Sequence, residues 1–212
     1  MRIAALIPTL YRPEGLRRVL QSLTDTAPEV NAVIAREWDD FTAQKIGDAF
    51  GATVTVCELE RAGCAYAWNT ALKGALNYDA YIIASDDMEF LPNWLETVWK
   101  YLGRLERSGL VGMNADWKKS DYSFFYLMTR DFIVEHHGGV AAVPVYRYWG
   151  VDTEACERAM AVGKYIKTEA RVCVHHRDKK GLPLDMRKEV KAIYNARKAA
   201  GFPDDFERIL CE

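Results

Sequence analysis

Short apolar runs alternate with stretches of helical periodicity through the first half of this chain, and that alternation restricts it to a narrow group of folds. Residues 3–7, Ile-Ala-Ala-Leu-Ile, read as a buried strand that Pro8 ends, and Leu16, Val19, Leu20 and Leu23 recur at helical spacing from about Pro13 onward. Residues 30–35 and 52–57 read as the second and third strands with a helix over about 40–50 between them. A helix over 64–77 precedes a fourth strand over 79–84. This β-α-β-α-β-α-β order predicts an α/β fold with a doubly wound, largely parallel sheet. With 212 residues the chain suits one substantial domain and is short for two.

The second half is more irregular. A helix over about 92–106 is followed by a short apolar run at 110–113 and an aromatic-rich strand at 122–128, Tyr-Ser-Phe-Phe-Tyr-Leu-Met. Residues 131–137 read as a short helix, Gly138-Gly139 as a break, and 152–163 as another helix. A last strand over 171–174 ends in His175-His176, and a helix near 185–200 closes the pattern. No linker composition interrupts it, so a single domain is expected.

Ser85-Asp86-Asp87 stands where the run Tyr81-Ile82-Ile83-Ala84 stops, which puts two carboxylates at the C-terminal end of a buried strand. Open α/β sheets bind ligands at that edge. Neighbouring carboxylates repel and lose solvation on burial, so the pair needs a compensating charge, and a divalent cation provides it most simply. Hard oxygen ligands suit Mg²⁺ or Mn²⁺, ions that commonly bridge to phosphates. A solvated turn capping the next helix is the competing reading.

Other loops at the same edge carry polar groups. Pro8-Thr9-Leu10-Tyr11-Arg12-Pro13 leads from the first strand into a helix and offers backbone N–H groups, an arginine and an aromatic ring to a nucleotide, or is an ordinary βα turn. After the second strand, Glu37 in Arg36-Glu37-Trp38-Asp39-Asp40 can accept hydrogen bonds from a base or ribose, or cap a helix. Arg61-Ala62-Gly63 followed by Ala65, Ala67 and Asn69 combines small residues, which allow close backbone approach, with two polar side chains. Tight helix-on-sheet packing explains the same small residues.

Tyr148-Trp149-Gly150-Val151-Asp152-Thr153-Glu154 introduces the 152–163 helix. Asp152 fits its N-cap and Glu154 its first turn, where the helix dipole favours acids. Either carboxylate also suits a general base acting on an acceptor hydroxyl, with Tyr146, Tyr148 and Trp149 as a stacking wall. His175 and His176 are possible metal ligands of which alternation lets at most one face the site. Trp117, Tyr122, Phe124 and Tyr126 either line an acceptor site or fill the core.

Charge and cysteines narrow the classes further. The net charge of −2 gives no global field for nucleic acid or anionic membrane. Eight basic residues between 177 and 198, namely Arg177, Lys179, Lys180, Arg187, Lys188, Lys191, Arg197 and Lys198, form the one local excess. Five cysteines without a Cys-x-x-Cys suggest neither a disulfide framework nor a zinc site, and Cys57 and Cys173 read as buried thiols in strands. The opening apolar run is too short for a signal sequence or a membrane span, so a cytoplasmic location is expected.

Taken in order, these segments resemble the family 2 glycosyltransferases of GT-A fold from Ile3 to about His176. The segment 7–16 is similar to the family's first strand and loop, residues 61–69 to its donor-binding stretch, and Ser85-Asp86-Asp87 to its DXD motif. The resemblance implies a Rossmann-like, mostly parallel sheet in a catalytic domain over 1–176, with a nucleotide-sugar and metal-binding half (1–90) and an acceptor-side half (91–176). Residues 177–212 would be a basic helical extension packed on the same domain. It implies that Asp87 holds the metal at the donor diphosphate, that Asp152 or its neighbour Glu154 is the base, and that His175 or His176 is a further ligand. Pro8, Thr9, Tyr11, Arg12, Glu37, Arg61, Asn69, Ser85 and Asp86 would contact a nucleotide-diphosphate sugar. Two departures stand out: Ser85 replaces the first carboxylate of the motif, and Arg36-Glu37-Trp38 replaces the usual acidic turn, so the donor base is not fixed.

The expected activity is a Mn²⁺- or Mg²⁺-dependent transfer of a sugar from a nucleotide-diphosphate sugar to an acceptor hydroxyl, with inversion. The acceptor would be a small molecule, a glycan or a modified nucleic acid. The C-terminal membrane helices or acceptor modules of larger relatives are missing from the pattern, which points to a soluble acceptor or a partner protein. A nucleotidyltransferase and a non-catalytic nucleotide-sugar binding protein are the alternatives.

Overall fold

A computed structural model describes residues 1–115, 120–147, 150–176 and 184–211. Trp117, Tyr148, Trp149, Arg177, Lys179 and Lys180 lie outside the described residues. Strand β1 (Ile3–Pro8) leads to helix α1 (Pro13–Thr26), then β2 (Asn31–Glu37), α2 (Phe41–Ala49), β3 (Thr53–Cys57), α3 (Cys64–Lys73) and β4 (Ala80–Ile83). The expected alternation of the first half is present, with β2 running two residues further than its apolar stretch and α3 stopping before 77. Downstream come β5 (Met88–Phe90), α4 (Trp94–Gly103), β6 (Leu110–Asn114), β7 (Phe125–Thr129), α5 (Arg130–His136), α6 (Val151–Ala161), β8 (Tyr165–Arg171), β9 (Cys173–His175) and α7 (Leu184–Ala199).

Seven strands form one sheet in the order β3-β2-β1-β4-β7-β6-β8. The first four are parallel, β7 runs antiparallel to both β4 and β6, and β8 is parallel to β6. Strand alternation sends Ala5, Ile7, Ile82 and Ala84 to one face, under α1, α2 and α4, and Ala4, Leu6, Tyr81 and Ile83 to the other, under α3, α5 and α6. Helix α1 shows why the sequence folds this way: Pro13 occupies its first turn, and Leu16, Val19, Leu20 and Leu23 make one buried stripe.

Two strands escape the sequence pattern. β8 alternates Ile166, Thr168 and Ala170 with Lys167, Glu169 and Arg171, the composition of a charged sheet edge rather than of a buried run. The apolar stretch at 171–174 straddles the junction between β8 and β9. β5 is only three residues long and pairs antiparallel with β9, forming a separate ribbon. This ribbon is fastened to α1, since the Phe90 backbone N–H donates to Ser22 Oγ at 3.0 Å.

Helix α7 lays Val190, Ile193 and Tyr194 on Ala65, Ala142, Val143, Tyr146 and Val151, beside the start of α6. Within the described part of the basic segment, Arg187, Lys188, Lys191 and Lys198 are exposed and Arg197 is buried. No helix among the described residues is long and apolar enough to cross a membrane. The five cysteines are free thiols, with Cys57 and Cys173 buried in their strands.

Candidate functional site

Past β4 the chain turns sharply, the Met88 N–H closing on the Ser85 carbonyl, and the two aspartates part. Asp86 points inward. Its Oδ1 accepts from Arg12 at 2.9 Å and its Oδ2 from the Thr9 hydroxyl at 2.9 Å. Arg12, expected beside a nucleotide, therefore also supplies the countercharge that Asp86 needs, and Thr9 adds a hydrogen bond. Burial pushes the Asp86 carboxyl up to about 6 in spite of them. Helix α1 comes close enough for this because residue 15 is glycine: a Cβ there would lie 2.3 Å from the Asp86 carbonyl oxygen.

Asp87 points the other way, toward the end of β9. Its Oδ2 lies 3.2 Å from His175 Nε2, and its other oxygen accepts from the Ser85 hydroxyl. Burial alone would raise this carboxyl, but the bonds to His175 and Ser85 outweigh it and keep the group below the usual aspartate range. The β5–β9 ribbon creates the pairing by setting Met88 opposite His175. His176 turns aside: its backbone N–H donates to the Asp87 carbonyl and its ring Nε2 lies 2.8 Å from Glu89. Of the two histidines, it is His175 whose ring meets Asp87, while the His176 ring meets Glu89. The His175 ring rests against Phe124 and Phe125, with centroids 5.5 Å and 5.0 Å away.

Among the described residues no three His, Cys, Asp or Glu side chains gather into a metal cage. A carboxylate and an imidazole side by side nonetheless fit Mn²⁺ or Mg²⁺ shared with phosphate oxygens, because such ions take only one or two protein donors when a substrate supplies the rest.

The loops after β1, β2 and β3 meet at the same edge. Asp40 caps α2 through the Ala43 N–H and accepts the Tyr11 N–H at 3.1 Å, while the Tyr11 hydroxyl donates to Asp39. Glu37 is buried; its Oε1 accepts the Arg61 N–H at 3.1 Å, and its Oε2 has no partner among the described residues. The Arg61 side chain is exposed. Asn69 requires a correction. Its amide donates to the Ala142 carbonyl at 2.7 Å and accepts the Ala142 N–H at 3.1 Å, so this buried side chain clamps the 140s loop onto α3.

Helix α6 begins one residue earlier than its periodicity suggests. Gly150, at φ +92°, is its N-cap, and Asp152 sits half-buried in the first turn instead of capping it. Burial raises the Asp152 carboxyl, with backbone hydrogen bonds at Thr153, Asp152 and Gly150 pulling it back. Cys64, at the start of α3, is pushed up to about 12, chiefly by burial, with the charges of Asp152 and Asp87 acting in the same direction.

Glu154 is the second correction. Its side chain is fully buried, Oε1 accepting from Arg158 at 2.9 Å and Arg197 at 3.1 Å, and Oε2 from Arg197 at 3.0 Å and Tyr146 at 2.7 Å. A carboxylate so engaged cannot reach an acceptor proton. Arg158 continues to Asp204 and Arg197 to Asp205, which ties the chain end to α6. Tyr146 is thereby a core residue. Nothing in the sequence singled out Gly15 or Arg197: one looks like any helical glycine, the other like one more charge on a basic helix.

The sequence profile described as Glycosyl transferase family 2 matches residues 4–153. No curated protein matches the chain. Among solved structures, the mannosyltransferase PcManGT from Pyrobaculum calidifontis, in complex with GDP-Man and Mn²⁺, superposes with a TM-score of 0.72 at 16% identity, over 98% of this chain and 65% of its own. TarS of S. aureus gives 0.70 at 10% identity, over 98% of this chain and 41% of its own. Glucosyl-3-phosphoglycerate synthase from Mycobacterium tuberculosis, in complex with phosphoglyceric acid, gives 0.67 at 16% identity over 96% of this chain and 81% of its own. The chain thus spans less than two thirds of the first two, and these likenesses show a shared GT-A fold.

Proposed function

Because the chain belongs to glycosyl transferase family 2, we propose that it transfers a sugar from a nucleotide-diphosphate sugar to an acceptor hydroxyl with inversion at the anomeric carbon. The observation that carries this reading is the Asp87–His175 pair just past the end of β4.

Asp87 and His175 would hold Mn²⁺ or Mg²⁺ against the donor phosphates, where the ion supplies Lewis-acid stabilisation of the departing diphosphate. Asp86, already neutralised by Arg12, serves to fix the turn. Glu37, with one oxygen uncommitted in a buried position, is suited to accept an N–H of the base or a ribose hydroxyl. Residues 1–90 would carry the donor, and the later half the acceptor. Asp152 takes the proton from the acceptor hydroxyl as that oxygen bonds to the anomeric carbon. The bond from that carbon to the diphosphate oxygen breaks, and its electron pair leaves with the phosphate. A carboxyl raised by burial is a better base than an exposed aspartate.

Asp152→Asn removes the proton acceptor and keeps the size. Its turnover should fall at least about a hundredfold with donor affinity retained. Release of a nucleoside diphosphate by the wild type identifies sugar transfer; release of pyrophosphate would identify nucleotidyl transfer and overturn the proposal.

A further inference from the structure

Of the aromatic residues around the start of β7, Phe125 and Tyr126 fill the core, whereas the ring of Phe124 is 46% exposed. Single exposed apolar side chains are common and need no special reason. The place of this one does. β7 runs antiparallel to β4 with Tyr126 opposite Ile83, so the residues that enter β7 lie beside the turn that leaves β4 and carries Asp87.

Residues 122–124 bridge α6 and the Asp87–His175 pair. The Tyr122 hydroxyl donates to Glu157 at 2.8 Å, the Cys156 thiol lies 3.8 Å from the Ser123 carbonyl, and the Phe124 ring centroid stands 5.5 Å from that of His175. Cys156 is one helical turn on from Asp152. Ser123 is buried, with its hydroxyl 2.7 Å from the Met113 carbonyl and 2.8 Å from that of Phe125, which pins the backbone that presents Phe124. The ring is thereby held between the helix that carries Asp152 and the imidazole that meets Asp87.

Strand order says which substrate passes there. The loops after β1, β2 and β3, with Tyr11, Glu37 and Arg61, lie on one side of β4, and β7 lies on the other. A nucleotide on those three loops directs its diphosphate to Asp87 and its sugar beyond, toward β7. Inversion requires the acceptor to approach the anomeric carbon from the side away from the departing phosphate, which is the side of Phe124.

We infer that Phe124 is the acceptor platform and that the acceptor is a carbohydrate, a pyranose ring laying its C–H face on the phenyl ring while a hydroxyl at its edge reaches Asp152. This rests on the reading of Asp87 as the metal ligand and Asp152 as the base. A pyranose has an apolar face and a hydroxyl-bearing rim, so covering that face with an aromatic ring removes apolar surface from water and leaves the hydroxyls free to find partners. A nucleobase would also stack, but a nucleic acid depends on a positive field for its phosphates, and the chain carries a net charge of −2.

The probes are methyl glycosides of glucose, mannose, galactose and N-acetylglucosamine, and a short oligothymidylate, each added to the full chain loaded with UDP or GDP and Mg²⁺. Binding is read by saturation-transfer NMR without turnover. The wild type should pass saturation to the ring C–H protons of at least one glycoside. Phe124→Ala and Phe124→Leu should weaken that binding about tenfold and Phe124→Trp should keep it, with nucleoside diphosphate affinity within about twofold in all three. The inference is overturned if no glycoside binds, if binding is unchanged in Phe124→Ala, or if the oligothymidylate alone depends on Phe124. A parallel loss of nucleoside diphosphate binding in the Ala and Leu variants also overturns it, because the ring would then act only by packing on His175. The platform can fail in these ways while Asp152→Asn still abolishes transfer; transfer that survives Asp152→Asn instead removes the base reading, and the proposed acceptor pose with it.

Discussion

His175 Nε2 lies 3.2 Å from Asp87 Oδ2, a contact between residues 88 positions apart that exists because β9 returns to pair with the three residues following the acidic turn. The pairing joins the Asp87 carboxylate of the β4 turn to an imidazole nitrogen. It is the natural place to test the donor site first.

Asp87→Ala should abolish the thermal stabilisation that Mn²⁺ and a nucleoside diphosphate give together, while His175→Ala should weaken it by about 10- to 100-fold in apparent affinity. Calorimetric titration with UDP and GDP, with and without Mn²⁺, measures both. Equal binding in the presence of excess EDTA would remove the metal assignment.

Gly15→Ala puts a methyl group where the Asp86 carbonyl already stands, at 2.3 Å. Either α1 or the acidic turn must shift, at a cost of about 1–3 kcal/mol. The expected signature is a lowered urea midpoint together with weaker nucleoside diphosphate binding, whereas a mutation on the exposed side of α1 would change neither.

Arg197→Met leaves the buried Glu154 carboxylate with Arg158 as its one remaining cation, and breaking such a pair typically costs about 3–5 kcal/mol. Arg197→Lys should recover little, since an ammonium cannot span both Glu154 oxygens as the guanidinium does. Chemical denaturation of the two variants is the check. A loss below about 1 kcal/mol in both would show that the chain end is not fastened to α6 through this network.

His137 predicts a pH dependence of stability. Its ring is fully buried, Nδ1 binds the Val140 carbonyl at 2.8 Å, and Nε2 has no partner among the described residues. Burial lowers it from 6.5 to about 4, with the Arg158 charge acting in the same direction and Val140, Glu154 and Asp204 opposing. The unfolded chain therefore binds the extra proton first. This contribution is fully present above about pH 6.5 and is lost as pH falls toward about 4. His137→Gln should flatten the urea midpoint across that interval, and an unaltered slope would contradict the assignment.

The sequence makes part of the site legible because the relevant signals are local. Short apolar runs followed by a period of 3.6 identify β1 through β4 with their helices, and an apolar run that stops at Ser85-Asp86-Asp87 marks the edge where these strands end. The charged alternation of β8 and the brevity of β5 carry no such signal. The residues 61–69 illustrate the limit: Asn69 has the same chemistry whether it meets a ligand or a backbone, and only the approach of Ala142 assigns it to the fold.

Composition and periodicity by themselves determine the α/β order and the presence of two acids after the fourth strand and two more at the start of α6. They cannot divide each pair, since every carboxylate is alike until its neighbours are known. Tertiary packing does so, mostly by long-range partners: Arg12 meets Asp86 and His175 meets Asp87, while Arg197, together with Arg158 one helical turn on, consumes Glu154 and leaves Asp152 half-buried in the first turn of α6. Charge balance in a low-dielectric interior depends on which groups come within a few ångströms, and that is a property of the folded chain.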